Sequence, residues 1–178
     1  MSTTPSLREQ DERDATRTEQ MERQREWLAP FEKRLGVPEG YILGLVSEAD
    51  DWAFIVKLAV LVEAAVTRAI VAHLKNDLLY NHISGIANSR RLQLAFTLGI
   101  LSKDEMLTLD MLAVTRNSFA HKVENLGGSL DAYFAALPGD KWATALNQLF
   151  SLEGKDKYKS ADKAPWHAGT FRYILFRM

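Results

Sequence analysis

The residues of this chain best suited to chemistry lie in the run Arg116-Asn117-Ser118-Phe119-Ala120-His121. On an α-helix each residue advances about 100°. Asn117 and His121, four apart, therefore share a face, and Arg116 lies one step round. Arginine supplies a permanent charge on a planar fork suited to phosphate, and histidine gains or loses a proton near neutral pH. With an amide between them, this is a set fitted to phosphodiester cleavage. The spacing also admits a structural reading, in which the Arg pairs with a surface carboxylate and the His meets carbonyls at a helix end.

Glu63 is the next candidate, because a carboxylate inside a largely apolar run needs a partner if it is buried. Thr67 follows four residues later on the same face. Glu63 can pair with His121 or Arg116, or sit at a helix edge beside a neighbouring Arg or Lys. Lys57 and Arg68 share a face and read as solvent-facing. Arg90 and Arg91 stand at a helix start, where positive charge opposes the dipole. They are candidate phosphate contacts, with ordinary surface pairing as the alternative. His73, His82 and His167 have no partner at metal-ligand spacing, and no calcium-loop, Gly-rich phosphate-loop, Gly-x-Ser-x-Gly or His-Glu zinc motif occurs. No metal or cofactor is expected.

The elements that must position these groups all read as helical. Asp50 or Asp51 can cap a helix from Trp52 to about Lys75, apolar almost all round, which marks it as central. Lys57, Glu63 and Arg68 interrupt that run and argue against a membrane span. Residues 76–88 read as a connector with room for a short helical turn. Ser89 opens a short helix through Leu98, with Gly99 near its end. Ser102 with Glu105 forms a capping box for a helix running to about Val123. Shorter helices follow over Leu130–Leu137 and about Lys141–Leu152. The lysine-rich stretch 154–163 reads as a solvated loop, and a last helix begins at Pro165. That helix has no C-cap before Met178, for which truncation is one explanation. No alternating stretch is long enough for a strand.

Upstream, Ser6–Arg25 is almost entirely charged and polar and cannot bury enough apolar surface to order itself. It reads as a solvated helix or a frayed tail, and partner binding is a third option. Trp27, Leu28, Phe31 and Leu35 follow a helical pattern that would dock a first helix before Gly36 and Pro38. The expected organisation is a charged extension over residues 1–26 and a helical domain over 27–178. Trp27, Trp52, Trp142 and Trp166 read as core or interface residues.

Composition narrows the function classes. A length of 178 residues suits one domain plus an extension. The absence of cysteine excludes disulfides, thiolate metal sites and a cysteine nucleophile. A net charge of −1 and a pI near 6.4 do not advertise a nucleic-acid binder, so any phosphate contact must come from a local cluster. Met1 is followed by Ser, Thr, Thr and Pro and then by charged residues, without the apolar stretch of a secretory signal, which points to the cytoplasm.

From Arg90 to His121 the chain reads RRLQLAFTLGILSKDEMLTLDMLAVTRNSFAH. With the preceding apolar helix, this segment resembles the HEPN superfamily, particularly the branch containing the mannitol-operon repressor. The shared elements are an apolar helix ending in Leu-Gly-Ile-Leu, a capped helix, and the closing Arg-Asn-x-Phe-Ala-His; the resemblance covers about Trp52 to His121. It implies an all-α, up-and-down helical bundle, commonly a homodimer, in which the Arg and His of two protomers face one cleft. It further implies a metal-independent endoribonuclease from a toxin, defence or RNA-processing context, acting on RNA and held by a cognate partner or antitoxin. In that scheme His121 is the acid or base, Arg116 stabilises charge on the phosphate, and Asn117 orients the phosphate or His121. Other members of that superfamily are catalytically silent regulators of transcription or protein binding, so the resemblance admits both readings.

Overall fold

The computed structural model describes residues 7–121, 127–136 and 138, and every regular element among them is helical. By contact the chain separates into two compact units, 1–44 and 45–178. No helix among the described residues is long and apolar enough to cross a membrane.

The first unit is built on α1 (Leu7–Leu35), which runs without a break through the boundary expected at residue 27. Of the two forms open to the charged segment, the structure takes the helix. Thr16 and residues 18–27 are exposed, as their composition requires. The docking pattern expected of Trp27, Leu28, Phe31 and Leu35 holds for half of its residues, since Leu28 is buried and Leu35 half-buried. Trp27 and Phe31 are exposed and pack on one another at 5.4 Å between ring centres, with the Arg34 guanidinium 5.3 Å from the Phe31 ring. Stacking with i+3 and i+4 neighbours shields part of their apolar surface without a second element. After Gly36, whose φ of 69° suits a residue without Cβ, the chain turns back. The Glu32 carboxylate then accepts from Gly40 N and Ile42 N, both at 2.8 Å, holding the start of α2 (Tyr41–Val46).

In the second unit α3 (Asp51–Leu74) is the central helix. The two adjacent aspartates that both looked like caps have different jobs. Asp50 caps α3, accepting from Trp52 N at 2.8 Å and Ala53 N at 3.3 Å. Asp51 accepts from Leu130 N at 2.8 Å and so ties the start of α7 (Leu130–Ala135) to the start of α3. Lys75 closes α3 in the left-handed region. A 3-10 turn over Asp77–Leu79 and α4 (Tyr80–Ser84) fill the connector.

Next come α5 (Asn88–Thr97) and α6 (Lys103–Ala120). Gly99, at φ 71°, turns the chain out of α5. The capping box at α6 is complete, with Glu105 N donating to Ser102 Oγ at 3.2 Å and Ser102 N donating to Glu105 Oε2 at 2.7 Å. The part of this helix expected beyond His121, the helices expected near 141–152 and after 165, the loop 154–163, Trp142, Trp166 and His167 lie outside the described residues.

Two apolar clusters hold this unit together. One joins Phe54 and Ile55 of α3 to Met111, Leu112 and Phe119 of α6, with Leu45 and Leu130. The other joins Val66, Ile70 and Val71 to Ile83, Leu92 and Ala95, with Met106 and Leu109 packed against it. Higher-numbered residues of α3 meet lower-numbered residues of α6, so the two helices run antiparallel. Val62 packs against both clusters, which places its neighbour Glu63 at the seam between them.

Candidate functional site

Three helices deliver polar side chains to that seam. Glu63 comes from the middle of α3, Arg116 from α6 just before its last turn and Arg91 from the first turn of α5. The Arg116 Nη2 donates to Glu63 Oε1 at 2.7 Å, and the Arg91 Nη2 donates to Glu63 Oε2 at 3.3 Å. One carboxylate thus bridges two guanidinium groups, one on each oxygen. The spacing allowed Glu63 either His121, Arg116 or an edge partner; the tertiary partners are the two arginines.

Thr67 joins the same network. Its hydroxyl donates to the Glu63 carbonyl at 2.8 Å, one turn back along α3, and accepts from Arg91 Nη1 at 2.9 Å. Asn88 Oδ1 adds a third acceptor for Arg91 at 3.4 Å. The Arg91 side chain is 6% exposed, whereas Glu63 and Arg116 are each 29% exposed. Burial of a guanidinium is tolerated only when charge and hydrogen-bond partners accompany it. Even so, Arg91 Nε is buried with no partner among the described residues.

Arg90 and Arg91, which shared one expectation, therefore separate. Arg90 is exposed on α5. Arg91 faces inward with Leu92 and Ala95, and its head group is occupied by Glu63, Thr67 and Asn88. The fold turns it away from solvent because α5 packs on both α3 and α6. Sequence reasoning missed this burial and the part played by Asn88. The signal was present in the spacing: Arg91 falls on the side of α5 defined by Leu92 and Ala95, and Asn88 lies one turn before it.

Asn117 and His121 follow on the outer side of α6. Both are exposed, and with Val114 they form an exposed stripe at i, i+3 and i+7. His121 ends the helix, its backbone N–H donating to the Asn117 carbonyl at 3.3 Å. Neither side chain is hydrogen-bonded to a described residue, and both are exposed. Arg116 is one step round the helix from this stripe, and only one of its N–H donors is engaged among the described residues. Lys57 pairs with Glu48, and Arg68 lies 5.5 Å from the Tyr80 ring; both are exposed, as their shared face suggested.

The Glu63, Arg91 and Arg116 groups carry one negative and two positive charges, a local excess that favours an anion. No group of three or more His, Cys, Asp or Glu side chains able to hold a metal ion occurs among the described residues. Comparison of the chain with family models, with curated proteins and with solved structures gives no match.

Proposed function

We propose that this chain is a HEPN-type endoribonuclease that works without a metal, using Arg116, Asn117 and His121 in a cleft shared by two protomers. One observation carries the reading: a guanidinium steadied by Glu63, with most of its fork uncommitted among the described residues, lies near the same end of α6 as an exposed amide and an exposed imidazole.

In this scheme His121 removes the proton from a ribose 2′-hydroxyl, and the 2′-oxygen attacks the adjacent phosphorus. The 5′-oxygen leaves with a proton, which gives a 2′,3′-cyclic phosphate and a 5′-hydroxyl. Arg116 offsets the charge that develops on the phosphoryl oxygens, and Asn117 orients the phosphate or the imidazole. A second protomer supplies the other proton-transfer group. Arg90 is a further phosphate contact at the edge of the site. A toxin, defence or RNA-processing setting, with a cognate protein holding the activity in check, fits such a nuclease.

The test is cleavage of mixed RNA by purified protein in EDTA, beside His121→Ala and Arg116→Ala. The expected outcome is cyclic-phosphate ends from the wild type and a loss of about 100-fold or more in each variant. Equal cleavage by all three proteins refutes the proposal. Light scattering at several concentrations tests the shared cleft, and a monomer throughout counts against it.

A second reading is a non-catalytic regulator resembling the mannitol-operon repressor, whose site binds a partner protein or a small anion. The 2.7 Å contact between Arg116 and Glu63 favours it, because that arginine already has a structural task. Absence of cleavage across varied RNAs would select this reading.

A further inference from the structure

The two arginines do not hold Glu63 on equal terms. Arg91 is almost wholly enclosed and is fixed at three acceptors, Glu63, Thr67 and Asn88. Arg116 is 29% exposed and is tied, among the described residues, by its single bond to Glu63. A guanidinium that leaves a half-buried carboxylate normally strands it, and the stranded charge opposes the departure. Here the carboxylate keeps Arg91, which has two acceptors of its own in Thr67 and Asn88.

From this asymmetry we propose that the contact between Arg116 and Glu63 is an exchangeable latch, in which a phosphate group takes Arg116 over while Arg91 keeps Glu63 neutralised. Glu63 is then a built-in competitor for phosphate at the site. The inference rests on the reading above that Arg116 meets a phosphate. Phosphate wins the exchange by offering two oxygens to the planar fork, where Glu63 offers Arg116 one. The cost to phosphate binding is the broken ion pair, which partial exposure keeps small.

Inorganic phosphate titrated into the full chain at constant ionic strength, followed by NMR, tests the latch. Glu63→Gln keeps the shape and weakens the competitor, and phosphate is expected to bind about two- to fivefold more tightly than to wild type. Asp110→Asn, the same change in net charge at an exposed position of α6, leaves the affinity at the wild-type value. Unchanged or weaker binding by Glu63→Gln overturns the proposal, and so does equal tightening by Asp110→Asn. Should Glu63→Gln fail to fold, wild-type protein gives the answer through its arginine Nε–H resonances, assigned with Arg116→Lys. Phosphate is expected to move the Arg116 signal and leave the Arg91 signal in place; movement of both or of neither refutes the latch. Because the readout is phosphate and not RNA, a protein that binds phosphate in this way but cuts no RNA removes the nuclease proposal and leaves the latch standing.

Discussion

Replacing Glu63 by Ala strands Arg91. That side chain is 6% exposed and would keep only two neutral acceptors, Thr67 Oγ1 and Asn88 Oδ1, with Nε already lacking one among the described residues. Breaking a buried pair by removing one partner costs about 3–5 kcal/mol. The two remaining acceptors and the partial exposure of Glu63 place the cost near the low end, at about 3 kcal/mol. Arg116, being 29% exposed, regains water and adds only about 0.5 kcal/mol. Arg91→Met behaves differently, because it removes the unpaired Nε and leaves Glu63 its bond to Arg116, so about 1–2 kcal/mol is expected. The double variant removes both charges together and should cost about 2 kcal/mol less than the sum of the single changes. Urea denaturation followed by far-UV circular dichroism measures all three, with a melting-temperature loss of about 6–12 °C for Glu63→Ala. A Glu63→Ala loss below about 0.5 kcal/mol, or simple additivity in the double variant, would show that Arg91 does not depend on this carboxylate.

Four further outcomes are expected. Phe119→Ala empties a fully buried site and removes the edge-to-face contact with Tyr133 at 5.7 Å, so a loss of about 3–5 kcal/mol is expected in the same denaturation assay. Ser102→Ala opens the capping box and should cost about 1 kcal/mol, with faster amide exchange confined to the first turn of α6. Lys75→Gly relieves a side chain held at φ 53° and should raise stability by about 1 kcal/mol; a loss would mean that Lys75 has a contact outweighing the strain. The Lys57 ammonium, helped by the Asp50 backbone N–H, holds the Glu48 carboxyl below its usual range. Its small stabilising effect is therefore present above the unfolded-state value and is lost as pH falls through the lowered folded-state value. In Lys57→Met the Glu48 titration followed by carboxyl NMR should move up toward the ordinary value, and an unmoved midpoint refutes the assignment.

The ends of α3, the start of α6 and the turn out of α5 were legible in the sequence, because the signals that set them are local, whereas α2 had no such signal and α5 begins at Asn88, without a side-chain cap, and not at the expected Ser89. Asp50, Ser102 with Glu105, and Gly99 each act on backbone groups within a few residues, and the structure uses each in the expected place. The placement of Asn117 and His121 on one face likewise follows from helical pitch alone. Partnership across helices was not legible. Arg90 and Arg91 are adjacent and chemically identical, yet one faces solvent and the other is enclosed, since 100° of rotation decides which meets the packed face of α5. Asp50 and Asp51 divide in the same way, one serving its own helix and the other a residue 79 positions away. Glu63 needed a partner by composition. Only the antiparallel packing of α3 on α6, with α5 laid against both, decided that two guanidinium groups would share it, because electrostatic pairing depends on distance through space and not along the chain.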